Sequence, residues 1–253
     1  MPDIKQSVDR IGLIDEIRGF AIICMVIYHG CFDLVYFFDI NFPLIWCEPM
    51  LVIQQLFAGL FIVVSGVSCR LSKNNIKRGV RCLFFALAIS YVTFIMMPDE
   101  AILFGILHLL GASMILAGFL MPLINKIKPI IGIGVFAFLF ILTYNLLYGN
   151  IGFFGLFSFD LPASFYNFPF SFALGMPSNS FSTLDYYPLF PWSFLFFSGV
   201  FLGSYIKKGN LPEFFYKTRF KLLSLAGRNS LIIYLLHQPV IYFLMLIILT
   251  LIK

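Results

Sequence analysis

The sequence predicts an all-α integral membrane protein, a polytopic bundle of about seven transmembrane helices with a cytoplasmic N-terminus and its C-terminus outside. Three observations predict it. Of the 253 residues, 60% are hydrophobic and 11% charged, whereas an ordinary soluble domain carries about a quarter charged residues. Apolar runs of about 20 residues, the helix length that crosses the hydrocarbon core, recur along the chain. Lys and Arg collect in alternate linkers, the asymmetry that orients membrane helices.

The first run, 17–38, follows a polar start bearing Lys5, Arg10 and Arg18, and no small-residue cleavage site follows it, so it is expected to be kept as a span. Runs two and three, 49–69 and 79–97, flank a turn with Arg70, Lys73, Lys77, Arg78 and Arg81. Runs four and five, 101–121 and 129–148, flank Lys126 and Lys128. The sixth, 190–206, is short, and the aromatic stretch from Phe153 to Phe172 before it can re-enter the membrane, so the count carries an error of one. Lys207, Lys208, Lys217, Arg219, Lys221 and Arg228 precede the seventh, 229–252. The remaining linkers hold Asp39, Glu48, Asp99, Glu100, Asp160 and Asp185, with no Lys or Arg. A single domain over 1–253 is expected, with no internal repeat. The net charge of +5 then reflects topology, and nucleic acid is not an expected partner. The five cysteines show no disulfide framework and read as small packing residues.

All three histidines, His29, His108 and His237, fall inside predicted spans, where an ionisable group is costly unless it is paired or lines a polar cavity. At about 1.5 Å of rise per residue, His29 lies roughly 13 Å and His108 roughly 10 Å below the outer ends of their spans, with His237 deeper. The three can therefore line one cavity opening outward, or each can be a neutral imidazole bonded to a neighbouring helix. Asp33 is four residues after His29 and shares its helix face, where a carboxylate orients an imidazole as a general base. Arg18 and Asp15 lie on the same stripe, either as part of a polar spine or as interfacial residues with Arg18 snorkelling. Pro239 frees the carbonyl of Leu235 beside His237, where Gln238 and Tyr234 add polar groups. Arg228 stands just before the seventh run, at a helix start that favours anions, or simply as a topology charge. Outside, Asp185 and Trp192 bound a segment with the acid and aromatic character of a sugar site or of an interfacial belt. No P-loop, His-Glu-x-x-His, Cys-x-x-Cys or Gly-x-Ser-x-Gly motif is present, so no metal is expected.

Four blocks lie in order along the chain. They are Ile14-Asp15-Glu16-Ile17-Arg18-Gly19 followed by Tyr28-His29 and Asp33; Phe104-Gly105-Ile106-Leu107-His108; Asp185 to Trp192; and Gly227-Arg228-Asn229-Ser230 through His237-Gln238-Pro239. Together they resemble the compact prokaryotic members of the heparan-alpha-glucosaminide N-acetyltransferase catalytic-domain family. The first and last are also similar to the broader membrane acyltransferases that modify surface polysaccharides. The resemblance implies an acyl-CoA-dependent O- or N-acyltransferase of a prokaryotic cytoplasmic membrane. It would move an acetyl or similar group from cytoplasmic acetyl-CoA or another acyl-CoA to a glycan hydroxyl or amine on the far side. On that reading His29, Asp33 and His108 are catalytic, Arg18, Arg228 and His237 bind the acyl-CoA, and Asp185, Trp192 and Gln238 meet the acceptor. Some family members carry a catalytic histidine in the loop after span one, and loop 39–48 has none. The partners expected are membrane lipid, acyl-CoA and an extracytoplasmic glycan or other acceptor, with homo-oligomerisation left open. A proton-coupled transporter or flippase using its histidines as a relay is the alternative, and a non-catalytic scaffold a third.

Overall fold

A computed structural model describes residues 11–38, 40–153, 155–208 and 211–252. Lys5, Arg10 and Asp39, used above for topology, lie outside the described residues. Seven of the described helices are long and apolar enough to cross a membrane, matching the seven runs. They are α1 Gly12–Tyr36, α2 Glu48–Leu71, α3 Asn75–Met96, α4 Ile106–Ile124, α5 Pro129–Leu142, α6 Leu189–Lys208 and, after the short α7 Lys221–Arg228, α8 Ser230–Ile252. A 3-10 extension, Tyr144–Tyr148, carries α5 to membrane-crossing length. The stretch from 153 to 172 is a small antiparallel hairpin, β1 Asn150–Phe153 with β2 Phe157–Asp160, followed by short 3-10 turns, and contains no helix of crossing length among its described residues.

One boundary differs in a way that matters for the site. The fourth helix begins at Ile106, five residues later than its apolar run, because the preceding segment is extended. Phe104 forms a parallel bridge with Tyr186, and Tyr187 N–H donates to the Phe104 carbonyl. An apolar run reports burial in lipid or protein, not helicity, and here a tertiary strand contact takes the first residues.

The chain divides into two compact units, 1–64 with 210–253 and 65–209, the boundary falling within α2. In the first unit α1 packs on α7 and α8. Its contact with α7 is made by Gly19 and Gly227, where a methyl group would run into the Leu223 carbonyl and the Asp15 carbonyl respectively. Such small-residue crossings let helix backbones approach closely, the main packing device available where lipid removes the hydrophobic drive between helices. The second unit is built on the pairs α3 with α4 and α5 with α6. Gly79 meets the Gly111 carbonyl, and Gly66 of α2 meets the Phe196 carbonyl of α6. Phe136 of α5 stacks on Phe197 and Phe201 of α6 at centroid distances of 5.3 and 5.6 Å. Phe196, Val200 and Phe201 are fully buried, while Phe84, Leu87 and Tyr91 on α3 are exposed, as suits a face turned to lipid.

Candidate active site

Helix α1 carries two polar clusters at two depths, both within the first unit. The first lies near its start. Asp15 is buried and receives Arg18 Nη1 at 3.5 Å and Arg228 Nε at 3.4 Å. Arg18 Nη1 also donates to the Gly227 carbonyl at 3.4 Å, one of the last carbonyls of α7, where a cation is favoured. The glycine crossing is what brings Arg18 and Arg228, 210 residues apart in sequence, onto one carboxylate. The Arg228 side chain is 45% exposed. It remains open to an anion from the aqueous side.

The second cluster lies eleven residues further along α1, about 16 Å by helical rise. The His29 and His237 rings sit with centroids 5.0 Å apart, His29 half-buried and His237 buried. His237 Nδ1 lies 2.6 Å from the Tyr234 carbonyl. A carbonyl only accepts, so Nδ1 carries a proton and donates it to Tyr234. Asp33 is fully buried, and its Oδ1 accepts from Gln238 Nε2 at 3.1 Å. Its hydrogen bond thus goes across to α8 rather than along α1 to His29, the partner expected from spacing. Asp33 Oδ2 and Gln238 Oε1 are both buried acceptors with no donor among the described residues. Acceptor atoms left open inside a protein are costly, roughly 1–3 kcal/mol each. They would be satisfied by a donor group brought in from outside.

His108 belongs to the second unit and has a different setting. It is the third residue of α4, and its Nδ1 accepts from the Gly105 N–H at 3.2 Å. That leaves the proton on Nε2, which lies 3.3 Å from Ser90 Oγ, and the Ser90 hydroxyl donates onward to the Ile102 carbonyl. The chain of donors and acceptors closes on itself. Asp185 Oδ2 accepts from Ile106 N–H at 3.2 Å, capping the same helix, while Thr183 Oγ1 accepts from Leu103 N–H and donates to the Ala101 carbonyl. Trp192 is buried between Phe140 and Tyr187 at 5.5 and 5.1 Å. The helix that carries His108 starts only two residues before it.

Outside the spans, burial raises the Tyr186 phenol well above its ordinary range, and neighbouring Tyr166 adds to the effect. The neutral hydroxyl donates to the Phe172 carbonyl at 2.6 Å. Ser90, Thr183 and Tyr186 carry no sequence signal, since each acts through a backbone group more than ten residues away.

The fold and these clusters define a multi-pass membrane protein with ionisable groups organised along one spanning helix. Residues 10–239 match the family model of the heparan-alpha-glucosaminide N-acetyltransferase catalytic domain, and the chain belongs to that family. Membership makes it a membrane transferase of the acyltransferase class. No curated protein and no solved structure matches it significantly.

Proposed function

We propose that this chain is a single acyltransferase domain that takes an acetyl or similar acyl group from acyl-CoA on one membrane face. It delivers the group to a hydroxyl or amine of a glycan on the other. The observation that carries this is the pair of clusters on α1: a cationic one near its start, and an imidazole pair with open acceptors about 16 Å further along. Family membership supplies the acyl chemistry.

Arg228, with Arg18 behind it, offers the exposed cation for the phosphates of CoA, and Asp15 holds both guanidiniums in place. The fit is one of charge and access at an aqueous rim. At the second cluster an imidazole of the His29–His237 pair takes the proton of the acceptor as its oxygen or nitrogen attacks the thioester carbonyl. The carbon–sulfur bond breaks, and the proton returns to the departing thiolate. Asp33 and Gln238 hold the acceptor through their open oxygens. His108 and Asp185 support the reaction by fixing the start of α4 rather than by touching it. Trp192, packed between Phe140 and Tyr187, serves packing rather than the acceptor. The alternation of basic and acidic linkers supports a cytoplasmic N-terminus, and the resemblance to compact prokaryotic members supports the plasma membrane of a prokaryote.

The test is calorimetric binding of acetyl-CoA to the detergent-purified protein and to Arg228→Ala. Saturable binding that weakens about tenfold or more in the variant is expected for loss of a charge-assisted contact. Absence of any binding, together with proton-coupled solute flux in proteoliposomes, would replace this reading with a transporter.

A further inference from the structure

We propose that residues 211–228 form a docking surface for the acidic phospholipid headgroups of the leaflet at which α1 begins. The segment alternates large apolar and basic side chains. Phe214, Tyr216, Phe220, Leu222 and Leu225 are exposed, Leu222 to 80%, and Lys217, Arg219 and Lys221 are exposed between them. Among the described residues Lys217 alone of these cations is engaged by an acid, Glu213 at 2.9 Å, while Arg219 lies over the Phe214 ring at 5.5 Å.

The depth of this surface is set by the fold. Glu16 Oε1 accepts from the backbone N–H groups of Arg219 and Phe220, fixing the entry to α7. Glu16 is four residues into α1, about 6 Å along its axis, so the segment is anchored level with the first turn of a spanning helix. Gly12 packs against the Tyr216 carbonyl, and the inner face of α7, Ser224 and Gly227, is buried. The spanning helix α8 starts two residues after α7 ends. The outward face therefore lies in the headgroup layer, where an amphipathic basic helix seats its apolar side chains among acyl chains and its cations against anionic lipid. A soluble phosphate compound would satisfy Arg219 and Lys221 and leave Leu222 and Phe220 in water. That asymmetry favours lipid.

The surface is independent of the acyl-transfer reading, and its test uses the whole chain. Retention of phosphatidylglycerol and of phosphatidylcholine is measured by native mass spectrometry on the detergent-purified protein and on the double variant Arg219→Gln with Lys221→Gln. The Glu16 contacts are to backbone and survive both changes. Preferential retention of phosphatidylglycerol is expected, falling about fivefold for each charge removed, with acetyl-CoA binding unchanged. In proteoliposomes, the indole introduced by Leu222→Trp is expected to be quenched by lipids brominated near the headgroup end of the acyl chain and shielded from aqueous acrylamide. Equal retention of the two lipids, or an indole open to acrylamide, overturns the proposal. So does a double variant that loses acetyl-CoA binding while keeping its phosphatidylglycerol.

Discussion

His29 and His108 occupy spanning helices of the same protein, yet one stands in an open polar cluster and the other in a closed one. Around His108 every group has found its complement: a backbone amide on one nitrogen, a serine on the other, and a carbonyl beyond the serine. Around His29 the neighbours are a second imidazole and, one turn on, a carboxylate whose second oxygen has no donor among the described residues. The difference teaches that an intramembrane histidine is not a site by virtue of its position. A closed network rigidifies; an open one has capacity left to bind and to move a proton.

The largest expected effect breaks this comparison if it fails. His29→Ala is expected to lower transfer about 10²- to 10⁴-fold, the usual contribution of a positioned general base, with membrane insertion, melting temperature and acetyl-CoA binding unchanged. His108→Ala is expected to do the reverse, lowering melting temperature and leaving turnover per folded molecule within about threefold, because it removes a satisfied cap worth about 1 kcal/mol. Equal losses of turnover at equal stability in the two variants would show that openness of the network does not mark the reactive histidine. Next comes Gln238→Ala, which strips Asp33 of its donor and is expected to cost about 10- to 100-fold in transfer, the scale of a hydrogen bond to a charged group. Gln238→Glu separates contact from shape. It keeps the reach but places two carboxyls together, and is expected to move the pH–rate profile.

How much of this was legible follows from what kind of signal each residue emits. Spans were readable because crossing lipid demands about 20 apolar residues in sequence, and all seven helices begin within about five residues of their apolar runs. His29, His237 and Arg18 stood out because charged or ionisable groups are rare in such runs, and Arg228 because it stands at the start of one. The Asp33–Gln238 bond did not stand out, since spacing along one helix pointed Asp33 at His29 and nothing in sequence reports which α8 residue faces α1. Glu16 reads as an interfacial acid, yet it fixes the start of α7 more than 200 residues away. Asp185 and Trp192 have the composition of a sugar site and the geometry of a helix cap and an aromatic stack.

A smaller effect sharpens the comparison at the level of packing. Gly227→Ala drives a methyl group into the Asp15 carbonyl and is expected to destabilise by about 1–3 kcal/mol. It should also weaken acetyl-CoA binding by separating Arg228 from Asp15. Gly134→Ala on α5, where a methyl group meets nothing within 4 Å, is the control and is expected to stabilise slightly, by up to about 1 kcal/mol of helix propensity. A melting temperature that falls equally in both would mean that the crossing of α1 and α7 is not the constraint that builds the cationic cluster.

The smallest effect concerns the closed region and appears only in alkali. Tyr186 is held neutral by burial, so its folded-state pKa lies above the ordinary value of 10.0. Below that value the phenol is protonated whether the chain is folded or not, and the stabilisation from its hydrogen bond to Phe172 is fully present. As pH rises past 10.0 the unfolded chain releases the proton first, and stability drains away toward the higher folded-state value. Tyr186→Phe is expected to melt slightly lower at neutral pH, by the roughly 1 kcal/mol of one hydrogen bond. It should lose less stability than the wild type between neutral pH and strong alkali. Parallel melting curves across that range would show that the neutral phenol does not hold the 172–187 segment closed, and the contrast between the two histidine environments would then rest on His108 and Ser90 alone.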